Sequence, residues 1–321
     1  MKNEIYELPA QLEFLPKIEN EDKWGKFGNY FLAGMGGSHL QGGILNSVLP
    51  EFPLLTHKDY GLPPLTGKDS AIIAASYSGN TEEVLDVFKK ALSRKVPLIA
   101  ISRGGKLLEI AKEERVPYIK LPNKDIQPRF GTGYSFKALL KALGLERELD
   151  EEVKEAINSL KEKRDDLMSM GKERSSFLEE KIPVIYASSK NKIIATFFKV
   201  NFNETTKIPA FFNVVPELNH NEMNGYDLIP ETRKIIEGVG FVLIFDKNDH
   251  PQNIRRMEVL ESMLKERGLK TISFDMSETN PIEKVFSSII LSGSLSFHMA
   301  GSYGTDPEGV PMVEEFKKKI K

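Results

Sequence analysis

The sequence predicts an α/β protein in two halves, each a parallel sheet flanked by helices in a doubly wound arrangement. Three observations carry this. From residue 30 to about 145, short apolar runs alternate with helical patterns. Between Glu146 and Lys181 the alternation gives way to a stretch dense in Glu, Lys and Arg, and after it the alternation restarts. Strands separated by helices of about 10 to 15 residues pair in parallel through crossovers, which puts helices on both faces of the sheet.

Taken in order, the first half (residues 1–150) offers strands at Tyr30–Ala33, Pro53–Thr56, Ala71–Ala75, Leu98–Ile101 and Tyr118–Lys120. Between and after them the helical period marks Leu40–Leu49, Thr81–Arg94, Lys106–Arg115 and Tyr134–Leu143. The charged stretch reads as one or two exposed helices linking the halves. In the second half (151–321), Pro183–Ala187, Val239–Phe245 and Lys270–Phe274 read as strands, and Asn191–Thr205, Asn253–Arg267 and Glu283–Ala300 as helices. The two halves share a rhythm but no residue-level repeat.

Composition narrows the function. The 321 residues carry 44 basic and 46 acidic side chains, a formal charge of −2, so nothing draws the chain as a whole toward nucleic acid or a membrane surface. With no cysteine there is no disulfide, no thiolate nucleophile and no Cys-ligated metal centre. The N-terminal MKNEIYELPAQLEFLP has no apolar core of a signal peptide, and no apolar run reaches the roughly 18 residues of a spanning helix. A cytoplasmic protein is expected.

Two strand-to-helix turns suit an anion. The first is F-L-A-G-M-G-G-S-H-L, residues 31 to 40, where Gly34, Gly36 and Gly37 lead to Ser38 at a helix start. Glycines let backbone N–H groups approach a phosphate, and the helix N-terminus adds positive potential. The plain alternative is a tight turn with a Ser N-cap. A dinucleotide fingerprint is disfavoured because the sixth position is His39, and a Walker motif lacks its Gly-Lys-Ser/Thr ending. The second turn is A-A-S-Y-S-G-N-T-E-E-V, residues 74 to 84. It supplies the hydroxyls of Ser76, Ser78 and Thr81, with Gly79 at the bend and Asn80 or Thr81 as candidate caps. The S-x-S-G-x-T turn, with G-x-G-G-S upstream, resembles the sugar isomerase (SIS) domain, a five-stranded parallel sheet that binds sugar phosphates.

The second half holds N-F-N-E-T-T-K-I-P-A-F-F-N-V-V-P-E-L-N-H-N-E-M, residues 201 to 223. Glu204 falls near a predicted helix end, and His220 follows among Asn219, Asn221 and two carboxylates that could fix its tautomer. Glu217, His220 and Glu222 are conceivable metal ligands, but no His-rich ligand spacing supports them and His39, His57, His250 and His298 are scattered. No metal or cofactor is expected.

This segment is similar to the bifunctional phosphoglucose/phosphomannose isomerases, a branch of the phosphoglucose isomerase superfamily, with P-E-L-N-H-N-E its most specific part. The resemblance runs from about residue 30 to the C-terminus. It implies that Gly36, Gly37, Ser38, Ser76, Ser78 and Thr81 hold the phosphate of a sugar. Glu204 would move a proton between carbons 2 and 1, and His220, contributed by the partner of a homodimer, would assist ring opening. Arg129, in Q-P-R-F, would stabilise charge on the enediolate oxygens. A lysine of a C-terminal helix would act on the ring: Lys317 in V-E-E-F-K, with Lys318 left open beside it.

The implied reaction interconverts glucose 6-phosphate, and mannose 6-phosphate, with fructose 6-phosphate through a cis-enediol. Such chemistry needs one base that abstracts and returns a proton, a cation beside the developing charge, and a remote phosphate to orient the sugar. The chain departs from the family at His39, where glycine is usual, and at Thr196-Phe197-Phe198-Lys199, where an Arg-Arg-Trp-like segment is frequent. The rival reading is a non-catalytic SIS module that senses a sugar phosphate. An amide-transferring SIS enzyme and a nucleotide-binding oxidoreductase stand further off.

Overall fold

The structure, a computed structural model, describes residues 1–64, 69–124 and 126–320. It divides into two compact units, Glu7–Asn158 and Ser159–Lys321, the latter joined by Met1–Tyr6. The first helix, α1 (Lys2–Tyr6), therefore belongs to the C-terminal unit, where Ile5 is buried.

The N-terminal unit opens with α2 (Leu8–Gln11) and the two-residue β1 (Ile18–Glu19), followed by β2 (Asn29–Ala33), α3 (Gly37–Val48), β3 (Leu54–His57), β4 (Ser70–Ala75) and α4 (Glu82–Ser93). Next come β5 (Leu98–Ser102), α5 (Gly105–Glu113), β6 (Tyr118–Lys120) and α6 (Thr132–Leu143). The sheet order is β1-β6-β5-β4-β2-β3. Every neighbour pairs in parallel except β1, which runs antiparallel to β6. The SIS-like sheet of five parallel strands is thus present, with one short antiparallel strand added at its edge.

Strands covered on both faces should be apolar on both, and they are: all six residues of β4 and all five of β5 are buried. Phe31, Ile72 and Ala74 pack with Val84, Phe88, Leu107 and Leu108 of α4 and α5. Helices α3 and α6 pack together and bury Leu40, Ile44, Phe136 and Leu139.

The linker is less exposed than expected. It is one helix, α7 (Asp150–Ser175), and the division between units falls inside it. It is not simply solvated, because Val153, Ala156, Leu160 and Met168 are buried. The periodic apolar residues outweigh the charged composition, as they do in any amphipathic helix with a partner.

The C-terminal unit continues with β7 (Ile182–Ser188), α8 (Lys192–Asn201), β8 (Phe211–Val215), α9 (Arg233–Glu237), β9 (Val239–Phe245), α10 (Pro251–Glu266) and β10 (Lys270–Asp275). Two helices close it, α11 (Pro281–Tyr303) and α12 (Pro311–Lys319). Its sheet has four parallel strands in the order β10-β9-β7-β8. Val184, Phe241 and Leu243 pack against Met257, Leu260 and Leu264 of α10 on one face. Among the described residues no helix is long and apolar enough to cross a membrane.

Candidate active site

In both units the chain leaves one strand toward opposite sides of the sheet, and the crevice at the carboxyl ends of the strands there is where open α/β sheets bind ligands. In the N-terminal unit it lies between β2 and β4, the strands that end in the two glycine/serine turns.

The turns are joined by hydrogen bonds. Ser38 does not cap its helix: Gly36 is the N-cap, with φ +52°, and the Ser38 hydroxyl accepts the Tyr77 N–H at 2.9 Å. Thr81 is the N-cap of α4, yet its hydroxyl lies 2.8 Å from that of Ser76 instead of bonding the helix backbone. Ser76 also accepts the Gly79 N–H at 3.0 Å, and Ser78 accepts the Asn80 N–H at 3.2 Å. Ser76 and Ser38 are buried, Thr81 is half-buried and Ser78 is exposed.

A third turn, which the motifs do not announce, braces the second. Asn80 Oδ1 accepts the Lys106 N–H at 3.2 Å, and the Gly79 carbonyl accepts the Leu107 N–H at 2.9 Å. Gly79 has φ +74°, and a Cβ there would lie 1.7 Å from the Gly104 carbonyl oxygen. The S-R-G-G at 102–105, another strand end followed by glycines, is the sequence signal that could have revealed this turn.

Arg129 lies in a short 3₁₀ turn, Pro128–Phe130, just before α6. It is buried, with its guanidinium 5.1 Å from the Phe130 ring centroid. A Cβ at Gly37 would lie 2.7 Å from the Pro128 carbonyl carbon and 2.8 Å from the Arg129 nitrogen. Glycine is what lets the start of α3 meet this segment. The first turn, the second turn and Arg129 therefore form one cluster within the unit.

His39, in the first turn of α3, is partly buried. Burial and the nearby charge of Lys58 lower its pKa to about 4, against a weaker upward pull from the Gly36 backbone. The ring is neutral at physiological pH, so it adds no cation to the turn.

In the C-terminal unit, Glu204 sits on a π-helical turn, Phe202–Thr206, that follows α8. Such turns recur at functional sites because they re-aim side chains out of helical register. Helix α11 holds this one: Asn201 donates to the Ser292 hydroxyl at 2.8 Å, and Thr206 to the Ser296 carbonyl at 3.0 Å. Lys207, in the left-handed region at φ +65°, ends the turn and bonds the Glu204 carbonyl. Glu204 itself is half-buried.

His220 ends a 3₁₀ turn, Glu217–His220, beyond the cis Val215–Pro216 bond. It is exposed, and its ring has no hydrogen bond among the described residues. The neighbouring carboxylates do not serve it. Glu217 accepts from Asn221 at 2.9 Å, while Glu222 is taken up by Tyr186, Tyr226 and Asn213. For the same reason Glu217, His220 and Glu222 do not converge as ligands, and no group of three or more potential ligands occurs among the described residues.

Lys317 lies on α12, a helix with no buried residue, and is ion-paired with Glu314 at 2.8 Å. Both partners are more than half exposed, so the pair holds the lysine only weakly.

The crevice of the C-terminal unit, between β7 and β9, is closed. Asp246 and Lys284 form a buried ion pair there, and Asn191 donates to Asp246 at 3.1 Å and to Asp249 at 3.2 Å. Two carboxylates, Asp246 and Asp249, stand there where an anion would need donors.

The chain is similar to known proteins in sequence and in fold. The family model for the bacterial phospho-glucose isomerase C-terminal SIS domain matches residues 168–320. A bifunctional phosphoglucose/phosphomannose isomerase of Aquifex aeolicus is 33% identical over 292 residues, 90% of this chain and 89% of that protein. Another from Caldicellulosiruptor bescii is 32% identical over 100% of this chain and 98% of its own. Among solved structures, a hypothetical protein of Thermus thermophilus superposes with a TM-score of 0.69 at 15% identity, covering 98% of this chain and 86% of that one.

Proposed function

The chain belongs to the bifunctional phosphoglucose/phosphomannose isomerase family, and from that premise we propose that it interconverts glucose 6-phosphate and mannose 6-phosphate with fructose 6-phosphate. The observation that carries the reading is the bond from the Tyr77 N–H to the Ser38 hydroxyl, which fuses two glycine/serine turns into one anion cradle.

In this reading each half is one SIS domain and the phosphate rests on the N-terminal turns. Ser38, Ser76, Ser78 and Thr81 offer hydroxyls, Gly36 and Gly37 offer backbone N–H groups, and the start of α4 adds its dipole. The phosphate takes no part in bond making; its binding energy orients the sugar. Glu204 abstracts the proton from carbon 2 and returns it to carbon 1, so the carboxylate is regenerated in each turnover. Arg129 balances charge that develops on the enediolate oxygens. Lys317, with Lys318 beside it, and His220 act on the sugar ring. The exposure of His220 suits a residue that serves the partner subunit of a homodimer, in a cytoplasmic enzyme.

The test is purified protein with fructose 6-phosphate and EDTA, coupled to detection of glucose 6-phosphate. Turnover is expected; well-folded protein that binds fructose 6-phosphate without converting it would establish the sensor reading instead.

The cradle makes its own prediction. Gly79→Ala forces a methyl group into the Gly104 carbonyl and disfavours the required φ. Displacing the Ser76–Thr81 turn should raise KM for fructose 6-phosphate at least about tenfold, the cost of one lost hydrogen bond to a charged group, while kcat changes much less. Steady-state kinetics separates the two, with a melting curve confirming that the fold survives.

A further inference from the structure

P-E-L-N-H-N-E carries two carboxylates that the proposed chemistry leaves unused, Glu217 and Glu222, and Glu222 is the better held. The Tyr186 hydroxyl donates to its Oε1 at 2.6 Å and the Tyr226 hydroxyl at 3.1 Å, the two hydroxyls lying 2.5 Å apart. Asn213 donates to Oε2. These donors come from β7, from β8 and from the far end of the loop itself. Below the carboxylate the Tyr226 ring meets Phe241 edge-on at 4.8 Å, so the network stands on an aromatic floor.

Both phenols stay protonated. Burial, with Tyr226 and Glu222 close by, pushes the Tyr186 hydroxyl far above its ordinary value. Burial pushes Tyr226 up to about 12. Each is a permanent donor across the working pH range.

His220, two residues before Glu222, has no side-chain hydrogen bond among the described residues, so its backbone sets where the ring lies. That backbone is fixed from both sides. Asn221 bonds Glu217, Asn219 receives a bond from Arg256 of α10 at 3.4 Å, and Glu222 is bound to the two strands.

We propose that Glu222 is a positioning residue, clamping the 217–226 loop onto β7 and β8 so that His220 is presented at one place. This rests on the reading that His220 acts on the sugar ring.

The test uses Glu222→Ala, Glu222→Gln and Tyr226→Phe, each alone and with His220→Ala. Misplacing a catalytic group by about 1 Å can cost about 10²-fold, so Glu222→Ala should lower kcat on that scale with KM little changed. Glu222→Gln keeps an acceptor for the phenols and should recover much of the loss. In the His220→Ala background Glu222→Ala should cost almost nothing further, because both changes remove the same contribution. A cost that adds in full would overturn the clamp.

Hydrogen exchange gives the independent readout. Amides of residues 217–226 should exchange faster in Glu222→Ala and in Tyr226→Phe, while β9 and β10 are unchanged; unaltered exchange in the loop overturns the proposal. If His220→Ala turns over like the parent, the reading of His220 has failed, and exchange alone then upholds or overturns the clamp. Should Glu222→Ala not fold, Tyr226→Phe, which keeps the ring and removes one donor, carries the same comparison.

Discussion

Replacing Glu204 with Gln is expected to lower kcat by at least about 10³-fold, within the range that a positioned general base contributes. Gln is isosteric, so the π turn and its bonds to Ser292 and Ser296 should persist and KM should stay near the parent value. The loss then falls on the chemical step alone. Glu204→Asp sharpens the point: it keeps the carboxylate and withdraws it by about 1 Å, a misplacement that can cost about 10²-fold. A solvent-deuterium experiment checks the assignment directly. The parent enzyme should wash label into carbon 2 of the recovered substrate and Glu204→Gln should not. Full exchange by Glu204→Gln would mean that another group is the base.

The second large effect is on stability. Lys284→Met removes the cation of the buried pair with Asp246 and leaves a carboxylate enclosed by the sheet ends. Removing one member of such a pair costs about 3–5 kcal/mol, enough to dominate the melting temperature. Burial by itself raises the Asp246 pKa, but Lys284, the Asn248 N–H and Asn191 together bring it below its ordinary 3.8. A carboxylate depressed in the folded state contributes stability above its unfolded value and loses it as the pH falls through the folded one. His39, held down to about 4, works in the same direction: its contribution is complete above 6.5 and drains away between 6.5 and about 4. The parent protein should therefore weaken in acid. In Lys284→Met the Asp246 contribution reverses, since an unpartnered buried carboxylate has a raised pKa and gains from protonation. The deficit of Lys284→Met relative to the parent should shrink as the pH drops toward about 4, where carboxylates take up protons. A deficit that stays constant from neutral pH down to that range would show that the pair does not govern stability. Denaturant midpoints at a series of pH values decide it.

How much of this was legible in the sequence depends on how local each feature is. The five strands of the first half are readable to within a residue or two: β2, β4 and β5 are nearly continuous apolar runs, as strands covered on both faces are, and the alternation with helices places β3 and β6. Strand β1 is not legible: two residues, Ile18 and Glu19, carry no period and form a strand only by pairing with β6. Strand β8 is hidden for a different reason. Phe211 is exposed, and an edge strand with a mixed burial pattern does not read as a core element. The helical period over Asn191–Thr205 carries no mark of the π turn, which depends on the Ser292 hydroxyl and the Ser296 carbonyl of α11 some ninety residues later. In the site, the turns at 34–38 and 76–81 were visible as motifs. Their fusion through Ser38 and Tyr77 was not, since it needs the sheet to set β2 beside β4. In the sequence Glu222 is only a neighbour of His220 and a conceivable ligand. Its true partner Tyr186 sits in a buried strand, where nothing in the surrounding I-P-V-I-Y-A-S marks the phenol as anything but core.

The allocation of α1 bears on how the chain comes to be assembled. The Tyr6 ring lies 3.8 Å from the Arg164 guanidinium and its carbonyl accepts from that side chain, while Ile5 is wholly buried in a unit otherwise built from residues 159 onward. A ribosome emits these six residues well before the surface that receives them, which includes α11 at residues 281–303. At about 5–20 residues per second, α1 waits roughly ten seconds to a minute with its apolar side chains uncovered. The Glu7–Asn158 unit can fold during that interval without it. The C-terminal unit cannot be completed until α1, made long before it, returns to it, so residues made early are seated late.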